Sequence, residues 1–163
     1  VTIYEPAEVA KWLTETLTDD ALLVCLPGGI HETDAHPVAS AHPGNEDMGK
    51  KVKRHATPYL VFSLLSGAGD IQGAGGTILV ADLDYAVQVL YRPGEQDKAR
   101  RGLRRVQDLL EGVEPDIEEG EEAPAHAITV RGMGLLPRLA DRGAGNRLIY
   151  SEGRRWRFRV QRI

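Results

Sequence analysis

Residues 83–91 read LDYAVQVLY. Leu83, Tyr85, Val87, Val89 and Tyr91 alternate with Asp84, Ala86, Gln88 and Leu90. A period of two, with β-branched and aromatic side chains at the odd positions, marks a half-buried strand. Arg92-Pro93-Gly94 stops it, and residues 95–111, EQDKARRGLRRVQDLLE, follow at once as an amphipathic helix. Ala99, Leu103, Val106 and Leu110 share the apolar face of that helix, and Gly112 is placed to end it. Upstream, residues 57–65 (TPYLVFSLL) form a nearly continuous apolar run, with Pro58 where a first strand residue tolerates it. Residues 77–91 read as one long strand, or two broken near Asp82, and pair antiparallel with that run.

Working outward, Pro6 suits the first turn of a helix over residues 7–17. Val9, Trp12, Leu13 and Leu17 share one face, which makes Trp12 a core residue rather than a ligand-binding aromatic. Asp19-Asp20 caps a short helical or extended piece over 21–26, where Cys25 sits as a small buried hydrophobe. Beyond the central helix, residues 125–133 (AHAITVRGM) read as a third strand. Residues 147–151 and 154–163 read as a hairpin around Glu152-Gly153. In its second arm Trp156, Phe158 and Val160 point one way and Arg155, Arg157 and Arg159 the other. Three like charges on one face repel, so acidic partners are expected. The acidic residues 118–122, of the same or a neighbouring subunit, are the candidates. The expected fold is α+β: a mostly antiparallel sheet of about four to five strands flanked by two or three helices, in a single domain over 1–163. Loops are expected at 30–57, 66–76, 112–124 and 134–146.

Composition narrows the function classes. An apolar share of 42% and a charged share of 27% are ordinary for a soluble globular chain. The net charge of −4 supplies no global field for nucleic acid or an anionic membrane. One cysteine excludes an internal disulfide and fits a reducing compartment. No apolar run is long enough for a transmembrane helix, and VTIYEPAEVAKW has neither the basic nor the apolar region of a secretory signal.

No catalytic motif emerges. His31, His36 and His42, with Glu32 and Asp34, match neither the helical HExxH pattern nor a Cys/His zinc module. Asp82 and Asp84 share a strand face, a geometry suited to a cation, but no base, nucleophile or phosphate cradle stands beside them in sequence. SGAGDIQGAGG at 66–76 lacks the lysine of a phosphate loop. No catalytic residue, metal or cofactor is predicted. Lys50, Lys51, Lys53 and Arg54 form a basic cluster without interleaved aromatics, better suited to a protein partner than to nucleic acid. With Arg155, Arg157 and Arg159 they are the candidate subunit or partner interface.

The order of these features resembles the tail-completion, or tail-terminator, proteins of long-tailed bacteriophages and related gene-transfer particles. The matching stretches are Thr57-Pro58-Tyr59-Leu60-Val61-Phe62, the helix ending Val106-Gln107-Asp108-Leu109-Leu110, and Arg155-Trp156-Arg157-Phe158-Arg159-Val160. The long histidine-bearing loop at 30–57 and the insertion at 134–146 depart from the pattern. The resemblance implies a structural virion protein without enzymatic activity. Six copies would form a ring at the head–tail junction, capping the tail tube and joining it to the head-completion (stopper) protein, with DNA only passing through the lumen. A stopper or minor capsid protein is the alternative in the same setting. A small cytosolic enzyme using Asp82, Asp84 or the histidines, and a nucleic-acid-binding module, are the alternatives from other classes.

Overall fold

The computed structural model describes residues 6–32, 56–72, 78–115, 126–143 and 147–162. The fold is α+β. In chain order the described elements are α1 (Pro6–Leu17), α2 (Asp20–Cys25), β1 (Ile30–Glu32), β2 (Tyr59–Gln72), β3 (Ile78–Tyr91), α3 (Gln96–Leu110), β4 (His126–Leu135), β5 (Leu139–Gly143) and β6 (Arg147–Arg162). The sheet order is β1-β2-β3-β6-β4, with β5 also on β6. Among the described strands only β1 and β2 pair parallel; the other pairs are antiparallel.

The odd positions of β3 face the helices, as their alternation predicts. Tyr85, Val87, Val89 and Tyr91 join Leu60 and Phe62 of β2, and Trp156, Phe158 and Val160 of β6, in one core. Val9, Leu13 and Leu17 of α1 and Ala99, Val106 and Leu110 of α3 close over them. Trp12 meets Phe158 edge-on at 5.8 Å between ring centroids, and Phe158 meets Tyr85 at 5.5 Å, the T-shaped arrangement that aromatic quadrupoles favour.

The helix ends follow local chemistry. Asp19 caps α2 by accepting from the Leu22 backbone N–H at 3.0 Å. The same carboxylate takes two bonds from Arg105 of α3, each 2.9 Å, tying the two helices together. Before α3, the Glu95 carboxylate accepts from the Arg92 N–H at 2.9 Å and the Thr57 hydroxyl at 3.0 Å. Gly112 ends α3 at φ +70°, a conformation costly for any residue with a Cβ. Its N–H then donates to the Val130 carbonyl at 3.2 Å, which docks the exit from α3 onto β4.

Several expectations are revised. Among the described residues the sheet has six strands rather than four or five, because β1 and β5 lie in stretches read as loops. The Gly- and Ser-rich residues 66–72 continue β2, pairing from Ser66 opposite Asp84 to Gln72 opposite Ile78 with irregular register. Repeated small residues resemble a hinge, yet the ladder supplies backbone partners that no side chain advertises. β3 is buried on both faces: Asp84, Ala86, Gln88 and Leu90 are all covered. Leu90 joins Tyr59, Val61 and Ile149 in a second, smaller apolar cluster.

The hairpin at Glu152-Gly153 does not exist. β6 runs straight through these residues for 16 positions. Gly153 is there because β3 comes close: a Cβ at 153 would lie 2.7 Å from Gln88 Cα and closer still to the Val87 carbonyl oxygen. The chain reverses instead between Gly143 and Arg147, which are paired residues of β5 and β6. β4 and β5 therefore lie end to end along one side of β6, with Leu136-Pro137-Arg138 between them.

Candidate functional site

Two places on the fold carry more chemistry than packing requires. One is the sheet face turned away from the helices. There Asp82 and Asp84 of β3 stand directly across from Arg159 and Arg157 of β6. Arg157 donates Nε and one terminal nitrogen to the two Asp84 oxygens at 2.8 and 3.0 Å. Arg159 does the same to Asp82 at 2.9 and 3.0 Å. Such fork-to-fork pairs fix geometry as well as charge. Arg157 also reaches Asp82 at 3.7 Å, and Arg155 approaches Asp84 at 4.0 Å, which joins the pairs into a ladder.

The carboxylates are the buried members. Asp84 has 7% of its side chain exposed, whereas Arg155 has 44% and Arg159 52%. The hydrogen-bonded Arg157 guanidinium holds the Asp84 carboxyl below the usual carboxylate range despite its burial, and Asp84 raises Arg157 in return. The shared face of Asp82 and Asp84 does hold a cation, and that cation is guanidinium. Within the chain these two aspartates meet the row of three arginines; residues 118–122, the expected acidic partners, lie outside the described residues. Arg131 of β4 stands exposed opposite Arg157, so the ladder carries four guanidiniums to two carboxylates.

Lys50, Lys51, Lys53 and Arg54, with His36, His42 and Asp34, lie outside the described residues. His31 is described: its Nε2 lies 2.9 Å from the Gly28 carbonyl oxygen, so that nitrogen is the donor, and its ring meets the Tyr59 ring edge-on. Among the described residues no group of three or more His, Cys, Asp or Glu side chains is arranged to hold a metal ion. Cys25 packs half-buried against the core, and the Ser63 and Ser151 hydroxyls are buried with no hydrogen-bond partner among the described residues.

The second place was not foreseen. A groove of about 460 Å³ opens between α3 and the β4–β5 corner. Leu103 and Val106 of α3, Val87 and Trp156 line its apolar floor; Arg104, Arg138, Glu152 and Arg154 stand around it. Arg138 lies over the Tyr150 ring at 4.5 Å and pairs with Glu152 at 3.3 Å. Beneath them the Tyr91 hydroxyl is buried, and its ionisation is opposed first by burial and then by Glu152. The signal in the sequence was Leu135-Leu136-Pro137, two apolar residues followed by a residue that interrupts an edge strand.

No protein-family model matches this chain, and no curated protein does. Among solved structures, a chain of the "Virion of native gene transfer agent (GTA) particle" matches with a TM-score of 0.50 and 22% identity. The match covers 95% of this chain and 92% of that one. At this identity the likeness establishes a shared fold over nearly the full length of both chains.

Proposed function

We propose that this chain is a structural virion protein of a phage-like particle, and that its particular role is tail termination. The observation that carries the first step is the shared fold, nearly end to end, with a chain of a gene transfer agent virion. The second step rests on the resemblance of residues 57–62, 106–110 and 155–160 to tail terminators. In this reading six copies close into a ring at the head–tail junction, stop growth of the tail tube and present a surface to the stopper protein. The work is stoichiometric and needs no catalytic group. Arg155 is the member of the arginine row best placed to meet a neighbouring subunit. It is 44% exposed, and its approach to Asp84 is long, at 4.0 Å.

The test is the mass of the purified chain by light scattering over a concentration series, repeated after addition of tail tubes and followed by electron microscopy of the tube ends. A discrete ring, or capping of tube ends, is expected, and Arg155→Glu weakens it. A chain that stays monomeric and leaves tubes uncapped overturns the terminator role. Binding to the capsid-side connector instead assigns it to the stopper position.

A further inference from the structure

The groove beside α3 has no role in the ring reading, and its chemistry is selective. Its floor is apolar and its surround is cationic: among the described lining residues Arg104, Arg138 and Arg154 are the cations and Glu152 the anion, with Glu111 close to Arg154 outside the lining. Glu152 is already engaged by Arg138 at 3.3 Å and by Arg100 at 3.9 Å. The chain as a whole carries −4, so this concentration of guanidinium runs against its overall charge. Apolar surface continues outward from the groove onto Leu135, which is 79% exposed. Alongside runs the β4–β5 edge, on whose outer side no strand pairs among the described residues. Residues 111–113 take the outward backbone groups of that edge at Val130 and Gly132. The apolar slot, its continuation onto exposed Leu135 and its positive surround together fit an acidic polypeptide segment with an apolar side chain better than a compact small molecule.

We propose that this groove docks an acidic segment of a partner protein. One large apolar side chain of that segment sits over Trp156, and flanking carboxylates meet Arg104 and Arg154. This holds whether or not the chain forms a ring.

The experiment selects binders from a random displayed-peptide library against the full chain. Their affinities are then measured by fluorescence anisotropy for the wild type and for Arg104→Glu, Leu135→Ser and Arg131→Glu. Arg104 and Leu135 are exposed, so their replacement leaves the fold intact, and Arg131 lies on the opposite sheet face. Enriched peptides are expected to carry Leu, Phe or Trp among Asp and Glu. Their affinity should fall about tenfold in Arg104→Glu and in Leu135→Ser and hold in Arg131→Glu, the loss of about 1.4 kcal/mol that a tenfold change represents. Bound peptide should also shift the emission of Trp156 in a Trp12→Phe background. Failure to enrich, enrichment of peptides without carboxylates, or affinity unchanged in Arg104→Glu overturns the proposal. So does dissociation of an oligomer by Arg104→Glu, which would make a second copy the occupant.

Discussion

Replacing Asp84 by Asn keeps the shape of the side chain and removes its charge. In the wild type that carboxylate accepts two charge-assisted bonds from Arg157, at 2.8 and 3.0 Å, with 7% of its side chain exposed. Bonds to charged groups contribute about 1.5–3 kcal/mol net each. Arg157 is 29% exposed, so water recovers part of what it loses, and Asn keeps one acceptor. The expected cost is therefore about 2 kcal/mol at neutral pH, below the roughly 3–5 kcal/mol for breaking a fully buried pair. With a urea m-value of about 2 kcal/mol/M, the unfolding midpoint falls by about 1 M. The dependence on pH is the sharper test. The folded Asp84 carboxyl lies below its unfolded value of about 3.9, so its stabilisation is full above that value and is lost as pH falls through the folded pKa. The gap between wild type and Asp84→Asn should thus be constant from neutral pH to about pH 5 and narrow below about pH 4. Arg157→Met, which strands the buried carboxylate, should cost more than Asp84→Asn, about 3 kcal/mol. A gap under about 0.5 kcal/mol at neutral pH, or one that stays constant down to pH 3, would refute the ladder as a source of stability.

Gly153→Ala should destabilise by about 3 kcal/mol or more, because its Cβ meets β3 backbone rather than a movable side chain; a thermal melt within about 2 °C of wild type would contradict this. The Asp19 carboxyl, held by Arg105 and by the Leu22 N–H, should titrate at about 2 in carbon-detected NMR, and Arg105→Gln should return it toward about 3.9. The α2–α3 tie is accordingly present above about pH 4 and lost as pH falls through about 2. Leu13→Ala removes a fully buried side chain from the centre of α1 and should cost about 2–5 kcal/mol in urea unfolding, whereas Val24→Ala, at an 80% exposed position, should be nearly silent.

What the sequence made legible was periodic. β3, α1, α3 and the second half of β6 announce themselves because one face is apolar and the other is not, and their core residues follow from that pattern. The strands in stretches read as loops had no such pattern. Residues 66–72 are mostly small, and their strand character comes from the ladder with β3 rather than from side chains. Glu152-Gly153 was misread as a turn because glycine serves both for turning and for close approach of two backbones, and only the position of Val87 and Gln88 distinguishes the two uses. The chain reverses instead between Gly143 and Arg147, paired residues of β5 and β6. The ladder was half visible: the arginine row and the Asp82/Asp84 pair were each recognised, but their register was not. Only the pairing of β3 with β6 brings them together across 73 residues of chain. The groove combines α3, β3, β6 and the β4–β5 corner, and no single segment encodes it.

β6 is shared by every other strand in its half of the sheet: β3 bonds to one side of it, β4 and β5 to the other. It is also the last described strand to leave the ribosome. Until translation has passed Arg162, β3 waits with one edge unpaired, and Asp82 and Asp84 wait without their arginines. The sheet therefore closes through contacts between residues far apart in the chain, a topology that folds slowly and exposes strand edges meanwhile. A chain cut short within β6 would lose the centre of the sheet, the strand on which β3, β4 and β5 all pair.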